Sequence, residues 1–318
     1  MRTFFTSLLF FFVSTAASAS GDAAVTVKVK PTKLSPHAYY VRGLSGAASS
    51  ANQGFMSNAG FVVTSDGVVV FDTLGSPPLG AEMIRQIRKI TSQPIRRVIV
   101  SHYHADHIYG LQAFKALGAE IWAHKRGQEY LASDEAQLRL AQRRETLFPW
   151  VDETTQLVPA DKWLDGETRF EMGGLHFELG YVGPAHSPED MVMLVKEDGV
   201  LYSGDMVFKG RVPYVGNADS KAWLEALDRL IKLKPKIMVP GHGKASADAT
   251  ADLVFTRDYL IYLRDTMGKA VANMEPFEEA YAKTSWKKFE HLPAFRAANR
   301  VNAYNTYLLM ENEGMQAK

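Results

Sequence analysis

Seven residues in the first half of the chain, Ser101-His102-Tyr103-His104-Ala105-Asp106-His107, restrict it more than any other feature. The chain holds 9 His in 318 residues. Three of them at these fixed places is an event on the order of 10⁻⁵ per starting position, before the Asp is demanded. The preceding Ile95 to Val100 is rich in β-branched residues and reads as a buried strand. His102 and His104, two apart, put both rings on one side of an extended chain, whereas a helical pair needs a spacing of four. A turn after them swings Asp106 and His107 toward a neighbouring point. Two adjacent sets of nitrogen and oxygen donors suit two borderline-soft ions side by side, and zinc is the default for such donors. A merely structural cluster is disfavoured, because imidazoles packed this densely repel once protonated.

Further donors stand where strands end. His186 follows Tyr181-Val182-Gly183-Pro184-Ala185, Asp205 follows Leu201-Tyr202-Ser203-Gly204, and His242 lies in Val239-Pro240-Gly241-His242-Gly243. Each alone reads equally well as a cap, a turn residue or a core His. Together, strand ends converge on one rim of an α/β sheet, where ligand sites usually lie.

The surrounding pattern alternates β and α. Gly60 to Thr64 and Val68 to Asp72 read as a hairpin around Ser65-Asp66-Gly67, followed by an amphipathic helix over 78–91. A helix near 110–117, a strand from Glu120 to Ala123 and one long polar helix over 125–146 come next. Phe148 to Trp163 reads as a long loop. Two hairpins follow, Thr168 to Met172 with Leu175 to Val182 and Met191 to Val195 with Val200 to Ser203. A helix over 220–233, a strand from Ile237 to Pro240, and helices from Ser246 onward complete an α/β chain.

Composition narrows the function classes. With 36 Lys+Arg against 35 Asp+Glu, the chain lacks the broad basic footprint of a nucleic-acid binder. With no Cys, thiolate zinc sites, iron–sulfur clusters, disulfides and a cysteine nucleophile are excluded. Arg2, the apolar run Phe4 to Val13 and Ala17-Ser18-Ala19 form a signal-peptide pattern over 1–19, with cleavage expected after Ala19. The expectation is a periplasmic or secreted protein with no membrane anchor and a small-molecule substrate. Nothing in the residues indicates its oligomeric state.

His102-x-His104-x-Asp106-His107, then His186, Asp205 and His242 in this order, resembles the metallo-β-lactamase superfamily over residues 55–245. The resemblance implies a four-layer αββα sandwich with the site at the edge between two sheets. It leaves 20–54 as an N-terminal lead-in and 246–318 as a helical C-terminal extension. Carried over by position, His102, His104 and His186 would hold one metal, Asp106, His107 and His242 a second, and Asp205 would bridge them. Asp106 would also orient the attacking water and shuttle its proton, with the shared water held as hydroxide. Asp72, at the end of Val68 to Phe71, resembles the family's buried Asp behind the ligands, and reads equally as a turn residue.

The departures from the pattern matter. Dedicated zinc β-lactamases usually carry Cys or Ser where Asp205 stands, while Asp is typical of the superfamily's thioesterases, lactonases, sulfatases and phosphodiesterases. The resemblance therefore implies a dinuclear zinc hydrolase acting on a carbonyl-centred bond of a lactam, lactone or thioester. Arg211 or Asn217 is expected to hold an anionic or carbonyl group of the substrate if their loop is a substrate loop, although the loop reads slightly better as a solvated one. Two alternatives stand beside this. One is a mononuclear iron dioxygenase of persulfides. The other is a non-catalytic partner of an exported sulfur- or quinone-linked oxidoreductase. The acyl group is left open, since specificity lies in loops around 40–58, 147–163 and 208–219.

Overall fold

The computed structural model describes residues 23–316, so the signal segment expected at 1–19 lies outside the described residues. The first sheet takes β1 (Pro31–Lys33), β2 (Ala38–Val41), β3 (Ala59–Val63), β4 (Val68–Phe71), β5 (Ile95–Ile99), β6 (Glu120–His124) and β7 (Lys162–Leu164) in sequence order. The first four strands run antiparallel and the last three join parallel. Parallel strands need crossovers. Here these are α1 (Pro77–Arg88), the short α2 (Ala105–Ile108) with α3 (Leu111–Ala116), and α4 (Gly127–Leu131) with α5 (Asp134–Thr146). The second sheet has the order β12-β11-β10-β9-β8, from β8 (Thr168–Met172), β9 (Leu175–Tyr181), β10 (Met191–Val195), β11 (Val200–Tyr202) and β12 (Ile237–Val239). Helix α6 (Ser220–Leu233) precedes β12, and α7 (Ala249–Ala272), α8 (Phe277–Lys283) and α9 (Phe295–Gln316) follow it.

Alternation along the strands sets the layers. Val69 and Phe71 of β4 pack toward Phe177, Leu179 and Tyr202 of the second sheet, while Val68 and Val70 pack outward with Leu79, Met83 and Ile87 of α1. On the other side, Leu201 and Met238 face outward against Trp223, Leu227 and Leu230 of α6 and against α7. The result is the expected αββα sandwich, with the C-terminal helices on its second outer face.

Several local readings need correction. The polar helix over 125–146 is two helices, because Ser133 caps the second one with its hydroxyl on the Ala136 N–H. The lead-in before residue 55 supplies β1 and β2, an edge hairpin of the first sheet. The loop from Phe148 to Trp163 ends inside β7, which pairs with β6. The C-terminal extension also has a positional role. Asn302 of α9 accepts from the Val215 N–H at 2.9 Å and donates to the Pro213 carbonyl at 2.7 Å, fixing the loop that carries Arg211.

Candidate metal centre

Strand ends from both sheets bring seven side chains together. His102 and His104 follow β5, with His104 at the N-cap of α2, and that helix carries Asp106 and His107. His186 lies beyond β9, Asp205 in a 3-10 turn after β11, and His242 just after β12. Ligand atoms of His102, His104, His186 and Asp205 lie within 4.8 Å of one another, and so do those of Asp106, His107 and His242.

His104 Nδ1 lies 3.0 Å from both His102 Nε2 and His186 Nε2. Asp205 stands between the groups with one oxygen toward each. Its Oδ2 is 3.9 Å from His102 Nε2 and 3.4 Å from His186 Nε2, while its Oδ1 is 3.2 Å from His107 Nε2 and 3.3 Å from His242 Nε2. Asp106 Oδ2 closes the second group at 3.4 Å from His242 Nε2 and 3.7 Å from His107 Nε2.

Hydrogen bonds behind the rings aim these atoms. Asp72 accepts from the Ser101 N–H and hydroxyl, both at 2.8 Å, and from His107 Nδ1 at 2.8 Å. The Ser101 oxygen in turn accepts from His102 Nδ1 at 2.9 Å. One carboxylate thus fixes a ring of each group with Nδ1 protonated and Nε2 free to accept. His242 Nδ1 donates to the Met56 carbonyl at 2.8 Å, and its ring stacks on Phe208. Asp72 holds this place with φ 60°, in the left-handed region that Asp tolerates better than most residues. Gly241 is required beside Asp205. A Cβ there would lie 2.0 Å from Asp205 Oδ1.

The donor set fits cations. Asp106 Oδ2, His107 Nε2 and Asp205 Oδ1 are buried without a hydrogen-bond partner and point at one another. Buried acceptors left this way are costly unless a cation satisfies them. Burial holds the His102 and His104 rings neutral by lowering their affinity for protons, and takes His186 down to about 3. Burial also disfavours charge on Asp205 and Asp106. Electrostatic attraction to the neighbouring imidazole side chains outweighs it and holds both carboxylates below their usual range. On His107, burial is outweighed by Asp205, Asp106 and Asp72, which push it well above the usual imidazole range. The carboxylates call for positive charge at this point.

The other residues singled out in the sequence line the same cavity of about 440 Å³. Arg211 is buried, donates to the Gly46 carbonyl at 3.2 Å, and lies 3.3 Å from His242 Nδ1. Asn217 is exposed at the rim, where its Oδ1 accepts from Asn305 at 3.3 Å. Sequence reasoning missed Ser101, Asn58 and the Ser187–Asp190 turn. Asn58 donates to the Pro240 and Gly243 carbonyls on either side of His242. Asp190 accepts from the Ser187 N–H and hydroxyl, and Glu189 accepts from the Tyr103 N–H at 3.0 Å, tying the His186 loop to the His102–His104 segment. Ser187-Pro188-Glu189-Asp190 carries a recognisable turn signature; Asn58 carries none.

Comparison with known proteins agrees with this geometry. The sequence model of the metallo-beta-lactamase superfamily matches residues 52–242, more than half of the chain, and the chain belongs to that superfamily. It is therefore a member of a hydrolytic metalloenzyme superfamily with a His/Asp metal-binding site. A type 2 metallo-beta-lactamase of Elizabethkingia meningoseptica is 26% identical over 253 residues, 76% of this chain and 90% of that protein. A linear primary-alkylsulfatase of Pseudomonas sp. (strain ATCC 19151) is 23% identical over 236 residues, 63% of this chain and 44% of that protein. Among solved structures, a metallo-beta-lactamase from Pontibacter korlensis superposes with a TM-score of 0.57 at 21% identity, over 74% of this chain and 99% of that one. A stereoselective inverting sec-alkylsulfatase from Pseudomonas sp. gives 0.71 at 18% identity, over 88% of this chain and 50% of that one. The chain thus spans about half the length of the alkylsulfatases and nearly all of the lactamases; the structural likenesses speak to the fold.

Proposed function

We propose that the protein is a hydrolase that binds two zinc ions and cleaves a carbonyl-centred bond (a lactam, lactone or thioester) in a small molecule. The observation that carries this reading is Asp205, whose two oxygens face different sets of imidazoles. His102, His104 and His186 would hold one ion, Asp106, His107 and His242 the other, and Asp205 both. Two such ions supply Lewis-acid polarisation of a carbonyl oxygen and a water acidic enough to act as nucleophile near neutral pH. The chain's own residues do the rest. Asp106, with an unpartnered oxygen at the cavity, orients the attacking water and accepts its proton. Asp72, through Ser101 and His107, keeps a ring of each group in one tautomer. Phe208 and Val215 give the cavity apolar surface.

Asp at 205, where dedicated lactamases carry Cys or Ser, favours thioesters and lactones over lactams. The alkylsulfatase relative makes sulfate esters the second substrate class to test. The full seven-donor set speaks against a single iron. The signal-peptide pattern at 1–19 supports export to the periplasm or medium, which peptide mapping of exported protein tests by finding Ser20 or Met1 at its start.

The test is metal analysis of protein purified without chelator, then a panel of lactams, lactones, thioesters and sulfate esters. The expected result is about two zinc ions per chain and turnover of at least one class, abolished by chelation and restored by Zn²⁺. Activity that survives prolonged chelation would overturn the reading. One iron per chain would move the oxygenase ahead of it.

A further inference from the structure

One part of the cavity lining comes from α4 and α5 and carries three arginines. Arg126, Arg139 and Arg143 all line the cavity, with Tyr130 between them. Arg139 and Arg143 are four residues apart on α5, so their side chains share one helix face. Both are half-buried.

Their pairing is thin. Arg126 has Glu129 at 3.6 Å, and Arg139 has the exposed Glu135 at 3.8 Å, a solvated contact of little strength. Arg143 has no carboxylate within ion-pair distance among the described residues. Arg144 on the same helix shows the contrast. It is tied to the Asp152 and Thr155 carbonyls at 3.0 and 2.9 Å, as a structural arginine is, and does not line the cavity.

We propose that Arg139 and Arg143 form an anion subsite, and that the substrate carries a second group with negative charge, a carboxylate or similar oxyanion, away from the bond that is cleaved. The planar fork of a guanidinium holds such a group by two parallel hydrogen bonds, and a half-buried pair holds it more strongly than a solvated one. The acidic residues that line the same cavity leave the pair largely unneutralised. Glu129 and Glu135 are exposed, and Glu189 is buried against the Tyr103 N–H. The proposal rests on the hydrolase reading above, since one end of the substrate must reach the rim.

Calorimetric titration of zinc-loaded protein with unbranched dicarboxylates, succinate to suberate, and with the matching monocarboxylates tests it. At one chain length the dicarboxylate should bind about tenfold tighter than its monocarboxylate, and in the R139Q/R143Q double variant the ratio should fall to about one with metal content unchanged. The single variant R143Q, which loses no partner within the protein, should lower the ratio on its own should the double variant prove poorly folded. A wild-type ratio near one at every length, or a ratio that survives in folded variants, would overturn the proposal. The readout is heat, not turnover. An inactive substrate panel with the preference intact counts against the hydrolase reading alone, and turnover without the preference counts against the arginine subsite alone.

Discussion

The His/Asp rim and the α4–α5 wall line one cavity but are held in different ways. On the rim, His102, His107 and Asp72 are buried, and a chain of hydrogen bonds through Ser101 fixes each ring. On the wall, Arg139 and Arg143 are half exposed and held by little beyond the helix they stand on. Rigid, buried donors give a centre of fixed geometry, which polar chemistry needs. Long, weakly tethered side chains adapt to what they meet, which suits recognition. Substitutions on the rim should therefore alter metal content and turnover, and those on the wall should leave metal content alone.

Asp205→Ala strikes the rim hardest. It removes a carboxylate oxygen from each donor group and a negative charge from between two cations. On the two-ion reading, stoichiometry should fall from about two toward one, with the three-imidazole group of His102, His104 and His186 keeping its ion. Turnover should drop at least ~100-fold. Metal analysis and a rate measurement on the same preparation check both. A variant that kept two ions and the wild-type rate would remove the bridging role.

Asp72→Ala comes next, and it separates positioning from binding. Asp72 lies behind the donors and touches His107 and Ser101. Its loss frees the tautomers of His107 and His102 while every ligand atom remains. Metal affinity should weaken roughly 10- to 100-fold, the usual scale for such partners. Competition with a chromophoric chelator reads this directly. Unchanged affinity would mean that ring orientation is set by packing alone.

How much of this was legible beforehand follows the same division. The rim could be read because its donors are rare residue types at short, fixed spacings: three His and an Asp within six positions, then single donors just after apolar strands. The layers could be read because Val68 to Phe71 alternates between two cores. The edge hairpin could not. Pro31-Thr32-Lys33 is short, largely exposed and polar, and pairs only because β2 is already in place. The break at Ser133 was masked by a continuous run of helix-forming charged residues, although Ser133-Asp134-Glu135 carries a capping signal. The arginines of α5 read as a solvated face, since only the tertiary fold turns that face into the cavity. Contacts between distant segments, such as Asn58 with the His242 loop, left no local trace.

Gly241→Ala tests whether close packing, as well as hydrogen bonding, holds the rim. The added methyl group would meet the Asp205 carboxylate and the backbone of Gly204 and Asp205, neither of which is a flexible chain end. Overpacking of this kind costs about 1–3 kcal/mol. Thermal unfolding should show that loss together with reduced metal content, because the segment that must shift carries the bridging residue. A stable variant with full metal content would show that the rim can give way.

The smallest effect belongs to the wall. Ser133 caps α5, its hydroxyl accepting the Ala136 N–H at 3.2 Å. Ser133→Ala leaves that N–H without its partner and should cost about 1 kcal/mol, within the range for lost N-caps. In a chain of this size that corresponds to a fall of roughly 1–2 °C in Tm. Ser133 itself lines the cavity, but no residue of the rim hydrogen-bonds to it. Metal content should therefore stay at the wild-type value while the start of α5, one turn before Arg139, loosens. Calorimetric unfolding and metal analysis of the same sample check the two halves of this expectation. A marked loss of metal from so small a change on the wall would show that wall and rim are coupled, and the division drawn between them would fail.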